Sequence, residues 1–162
     1  MLAVFGLDPA PVLVDMVVVD SDRLTGFSDP ATVSTGPGDA IIMIDNSHAN
    51  AGQGYHQSTL VQLSGGQLLA IDTTRMLDLL VCGWRLGQHL TISPDTTVSP
   101  PWPLTVRVTE TVMVYGDCGD DPQPMPADRS YAVTYARNPA TGACRITKGN
   151  WSALDAVNVE RY

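Results

Sequence analysis

Ser58-Thr59-Leu60-Val61-Gln62-Leu63, then Ser64-Gly65-Gly66, then Gln67-Leu68-Leu69-Ala70-Ile71-Asp72 is the stretch that decides the fold class. Two short runs rich in strand formers flank a pair of glycines free to take positive φ, which is the signature of a β-hairpin. The same pattern recurs on both sides of it. Val12 to Val19, Ala40 to Asp45, Leu77 to Cys82, His89 to Ser93, Leu104 to Tyr115, Tyr131 to Arg137 and Ala143 to Lys148 also read as strands. With 14 Gly and 12 Pro spread along 162 residues, turns interrupt the chain too often for long helices. Asn138-Pro139-Ala140-Thr141-Gly142 marks a second hairpin, with Pro and Gly at positions that turns favour.

The expected fold is therefore all-β, one domain over residues 1–162, built as a mostly antiparallel sandwich or barrel-like meander of about nine strands. One short helix closes the chain, because Trp151, Leu154 and Val157 recur at helical spacing after Asn150, a good N-cap. Asn150-Trp151-Ser152 is also a glycosylation sequon, of consequence only in a eukaryotic secretory pathway. Long connections are expected from Ser21 to Asp39 and from Gly116 to Ser130, both rich in Pro, Asp and Gly.

Charge narrows the partners. The net charge is −8 and Lys148 is the only lysine, so no basic stripe exists to neutralise phosphates, and nucleic acid is not an expected partner. No apolar run reaches the roughly 18 residues of a membrane span. The first ten residues lack Lys and Arg, so they do not read as a signal peptide with a basic start. The chain is then cytoplasmic, or the mature form of an exported protein carried behind a new Met1.

The cysteines favour export. In an up-and-down meander Cys82 ends one strand and Cys118 follows the strand two places later, which runs the same way, so both stand at one end of the sheet. Cys144 starts the last strand at the opposite end. A Cys82–Cys118 bridge with Cys144 free is expected, worth ~4 kcal/mol on the loop-entropy account. A structural disulfide places the protein in the periplasm or outside the cell, with the cytoplasm as the alternative.

Leu63-Ser64-Gly65-Gly66-Gln67 resembles the signature sequence of ABC-transporter ATPases over five residues. The P-loop such an enzyme requires is missing, since Lys148 does not follow the necessary glycine spacing. Ser-Gly-Gly is hairpin chemistry here.

The densest group of reactive side chains runs from Asp45 through Asn46, His48 and Tyr55 to His56. If the flanking strands pair, Asp45 and His56 meet at the base of a small, polar, Gly-rich loop that carries His48. Two imidazoles and a carboxylate suit a metal, or a carboxylate-oriented histidine for acid/base work, and otherwise are ordinary surface groups. Glu110 shares one strand face with Leu104, Val106, Val108, Val112 and Val114, and so points toward the core. It lines a pocket there, or a β-bulge turns it out, or it meets an arginine such as Arg107. Asp20-Ser21-Asp22 and Asp117-Cys118-Gly119-Asp120-Asp121 are acidic turns without the calcium-loop pattern.

Two functions follow. The first is a non-enzymatic, exported module that binds a protein, glycan or small ligand, with Asp45, Asn46, His48, Tyr55, His56 and Glu110 as candidate ligand-binding residues and no cofactor named. The alternative is a metal- or histidine-dependent hydrolase centred on Asp45, His48 and His56, with Glu110 or Asp72 as accessory carboxylate.

Overall fold

The computed structural model describes residues 1–50, 53–116, 118 and 124–161. Ten strands and one helix follow in order: β1 (Leu2–Gly6), β2 (Val12–Val17), β3 (Leu24–Gly36), β4 (Asp39–Asn50), β5 (Gln53–Ser64), β6 (Gln67–Val81), β7 (Gly83–Pro94), β8 (Leu104–Tyr115), β9 (Arg129–Arg137), β10 (Cys144–Lys148) and α1 (Ser152–Arg161). β1 and β2 form a separate two-stranded sheet, and the other eight are hydrogen-bonded to their sequence neighbours in a single antiparallel meander. The fold is all-β.

The strand pattern departs from the sequence reading in several places, beginning with β1, which that reading did not include. The segment taken as a loop from Ser21 to Asp39 contains β3, and the runs Gln67 to Asp72 and Leu77 to Cys82 are one strand, β6. In β3 the register with β4 breaks between Phe27 and Thr32, so residues 28–31 bulge out of the ladder. Pro30 sits in that bulge, where its missing N–H costs no ladder bond.

The meander turns back on itself because β6 and β7 pair only from Asp78–Gly87 to Val81–Trp84. Past that point the strands separate, and β3–β6 come to face β7–β10. The space between is filled by Ile41 and Met43 of β4, Leu60 of β5, Met76 of β6, Leu104, Val106 and Val108 of β8, Val133 and Tyr135 of β9, Trp151 just before α1 and Leu154 of α1. The opposite faces of β4 and β5 are covered as well, with Ile44 and Val61 packing against Leu2, Val4 and Val17 of the small sheet. Burial on both faces is why Ile41-Ile42-Met43-Ile44 is continuously apolar rather than alternating.

Polar links tie the two halves. Arg137 Nη1 lies 2.9 Å from Asp39 Oδ2, and the Gln62 side chain donates to the Gly142 carbonyl at 2.8 Å while accepting from the Cys144 N–H at 2.7 Å. Asp72 accepts from the Tyr135 hydroxyl and, at 3.2 Å, from the Trp151 indole. It is a core-bracing carboxylate, not an accessory to His56. Cys82 and Cys118 are bonded, with Cα atoms 5.4 Å apart, and Cys144 is free. The acidic stretch 117–121 lies outside the described residues except for Cys118.

Where β6 and β7 part, their backbone groups lose ladder partners, and side chains replace them. Gln88 Oε1 accepts from the Leu77 N–H at 2.9 Å, and Asn158 of α1 donates to the Arg75 carbonyl at 3.0 Å. The Gln88 amide donates to Asn158 Oδ1 and to Glu110 Oε2. Arg161 closes the network at 2.7 Å from the same Glu110 oxygen. Asn150 Oδ1 accepts from the Ser152 N–H as the N-cap, and α1 buries Trp151, Leu154 and Asn158, leaving Val157 only half-buried. The polar position in that stripe is what joins the helix to the split.

Candidate functional site

Asp45–Asn50 and Gln53–His56, expected as loop, are strand; residues 51–52 lie outside the described residues. β4 continues to Asn50 and β5 begins at Gln53, in unbroken register that pairs Asp45 with Ser58, Ser47 with His56 and His48 with Tyr55. Side chains alternate across a strand, so this register separates the candidate residues by parity. Asp45 and His56 share one face. Asn46, His48 and Tyr55 take the other.

On that second face Asn46 is buried and donates to the Asp20 carbonyl at 3.3 Å. His48 and Tyr55 stack with ring centroids 5.8 Å apart, His48 Nδ1 lies 3.6 Å from Asp22 Oδ2, and the Tyr55 hydroxyl donates to the same oxygen. Arg75 covers the Tyr55 ring at 5.0 Å. This is a cross-strand aromatic and charge cluster that braces the hairpin. His48 therefore lies on the opposite face of the hairpin from Asp45 and His56. Among the described residues no three His, Cys, Asp or Glu side chains come together as a metal site.

Glu110 stands apart again. It is 0% exposed with no register shift anywhere along β7 and β8, so no bulge turns it out. Its partners are Gln88 and Arg161, while Arg107 donates to Ser130 instead. Glu110 anchors the helix and does not share a cavity with Asp45.

Asp45 and His56 open onto a cavity of about 340 Å3 between the β3 bulge and the edge of β7 that β6 has left. Its polar lining is Asp45, His56, Ser58, His89 and Thr91, with Ser28 and Asp29 of the bulge. Its apolar lining is Val33, Met43, Met76, Leu90 and Ile92. Ser58 is buried and donates to Asp45 Oδ1 at 2.5 Å. Burial pushes the His56 pKa below its ordinary value, and His89 adds to that effect, against the opposing pull of Asp45, Asp78 and a hydrogen bond to the Gln88 carbonyl. His56, its pKa lowered, is a neutral imidazole at pH 7, with one ring nitrogen able to accept a hydrogen bond. The Ser28 hydroxyl is buried without a protein partner at the same cavity.

Models of protein families, curated proteins and solved structures all fail to match this chain. The cavity is therefore read from its own chemistry.

Sequence reasoning missed His89, Ser28 and Asp29. The bulge residues sat in the segment read as a loop. His89 was placed at the start of a strand, but its relation to His56 needs the turn at Cys82 and Gly83, where Gly83 takes φ 92°. From that turn Asp78 pairs with Gly87, and two residues further out lie Met76, already opposite His56, and His89.

Chemically, the site presents hydrogen-bonding groups. Ser58 donates to a carboxylate rather than to an imidazole, so nothing stands ready to draw its proton toward a histidine base.

Proposed function

We propose that the protein is an exported, non-enzymatic binding module that takes a small ligand in the cleft between β3 and β7. The observation that carries this reading is the cavity of about 340 Å3, lined by apolar side chains together with Asp45, His56 and Ser58. Small-molecule sites have this make-up, an apolar pocket of at least ~300 Å3 with a few convergent polar groups. The Ser58–Asp45 bond supports binding over catalysis, because the hydroxyl is engaged as a fixed donor. The Cys82–Cys118 bridge supports export, since structural disulfides persist in oxidising compartments. The net charge of −8 with one lysine argues against nucleic acid as the ligand.

The methionines supply the test. Met43 and Met76 line the cavity, whereas Met1, Met16, Met113 and Met125 are exposed elsewhere. Methyl-labelled protein screened by NMR against a fragment library should yield binders that shift the Met43 and Met76 signals together. Filling the cleft with Val33→Trp should abolish those shifts. Binders that move only the exposed methionines would refute the cleft as the site.

A further inference from the structure

We infer that the ligand of this cleft is a small organic cation, an N–H-bearing ammonium group on an apolar body. The inference rests on the cleft being the binding site and adds the class of molecule it takes.

Charge comes first. Asp29 and Asp45 line the cavity, and no lysine or arginine does. A carboxylate or phosphate ligand would enter against two like charges with no cation to receive it, whereas a cation is met by both.

Hydrogen-bonding capacity points the same way. Asp45 Oδ1 accepts from Ser58, and the second oxygen of this cavity-lining carboxylate has lone pairs to offer. Asp29 offers a second carboxylate from the exposed bulge, and the neutral imidazole of His56 offers a ring nitrogen. The uncommitted wall is therefore mostly acceptors. An ammonium group has three donors and no acceptor, so it can satisfy this wall without leaving a buried group unpaired.

The rest of the lining selects the body. Val33, Met43, Met76, Leu90 and Ile92 give an apolar surface, and the two thioethers can adjust to an irregular alkyl shape. Among the described residues no Phe, Tyr or Trp lines the cavity. Quaternary ammonium ligands are held by aromatic cages, so their absence, together with the acceptors present, favours a primary amine over a fully methylated one.

The test titrates the full chain with hexylammonium, hexan-1-ol, hexanoate and hexyltrimethylammonium, reading the Met43 and Met76 methyl signals. Hexylammonium should shift both saturably and bind at least about tenfold more tightly than the other three, the factor a charge-assisted hydrogen bond supplies. Asp45→Asn should lower its affinity to that of hexan-1-ol. Asp29→Asn, in the exposed bulge, should weaken it too while leaving the thermal midpoint of the unliganded protein unchanged. Hexan-1-ol, hexanoate or hexyltrimethylammonium shifting both methyls with equal or greater affinity would overturn the inference and leave the cleft standing as the site. Indifference of hexylammonium binding to both substitutions would overturn it equally. If no probe shifts Met43 or Met76, the inference fails, and the fragment screen alone then decides the cleft.

Discussion

Arg161→Ala should cost far more stability than its place in the last turn of a terminal helix suggests. The guanidinium lies 2.7 Å from Glu110 Oε2, with side-chain exposures of 16% for Arg161 and 0% for Glu110. Removing it leaves a buried carboxylate held by Gln88 alone, with the second oxygen, Oε1, unpartnered. Breaking a buried pair by deleting one partner costs about 3–5 kcal/mol, and the residual exposure of Arg161 puts the loss at the low end, about 3 kcal/mol. With a urea m-value of about 2 kcal/mol/M for a domain of this size, the midpoint should fall by about 1.5 M. Arg85→Ala is the control. Arg85 lies 2.6 Å from Asp78, as close as the first pair, but with exposures of 48% and 41%, so solvent already screens it and its removal should barely move the midpoint. Equal shifts for the two variants would refute the argument that burial, not distance, sets the value of these ion pairs.

Three further outcomes follow from the same geometry. Cys82→Ser with Cys118→Ser opens a bridge spanning a sequence separation of 36 and should cost about 4 kcal/mol on the loop-entropy account, and a urea midpoint within error of the parent's would reject it. Burial pushes the Cys144 thiol pKa up and half-hides it, so a thiol reagent at pH 7 should label native protein slowly and denatured protein at once; equal rates would count against that placement. His56 has its pKa lowered from 6.5, so the unfolded chain takes up a proton first as pH falls below that value. The native state then loses stability between pH 7 and pH 5, and His56→Gln should flatten that fall in urea midpoints; an unchanged slope would show that His56 is not the group responsible.

The architecture was legible where local pattern and global topology agree. Ser64-Gly65-Gly66 and the Asn138 to Gly142 turn are hairpins with glycines at positive φ, and the meander they imply is what brought Cys82 and Cys118 to one end. The inward face of Glu110 followed from period-two alternation alone. Its partner did not, because Arg161 reaches it from a helix whose placement depends on β6 and β7 parting. Strand β3 was hidden by Gly26, Asp29, Pro30 and Gly36, residues that mark loops when no neighbour is known. The bulge at residues 28–31 absorbs the proline, and pairing with β4 on either side carries the strand past it.

The site was the harder problem, and the reason lies in parity. A polar, Gly-rich stretch such as Asn46 to Tyr55 reads as a loop by composition, yet β5 is held on both sides, by β4 and by β6, and pairing on two edges outweighs propensity. Along Asp45–Asn50 and Gln53–His56, strand alternation sends neighbouring side chains to opposite faces. His48 follows Asn46 and Tyr55 to the outer face, and Asp45 keeps only His56 and Ser58. The third group on the inner face comes from 33 residues beyond His56, a separation that reads directly from the numbering of His89. Composition has no access to that relation. Register does, because the β5–β6 hairpin sets Met76 opposite His56 and the turn at Gly83 sets His89 beside Met76's strand. For a meander of this kind, then, candidate site residues are better sought by stepping across successive hairpins than by looking for polar density along the chain.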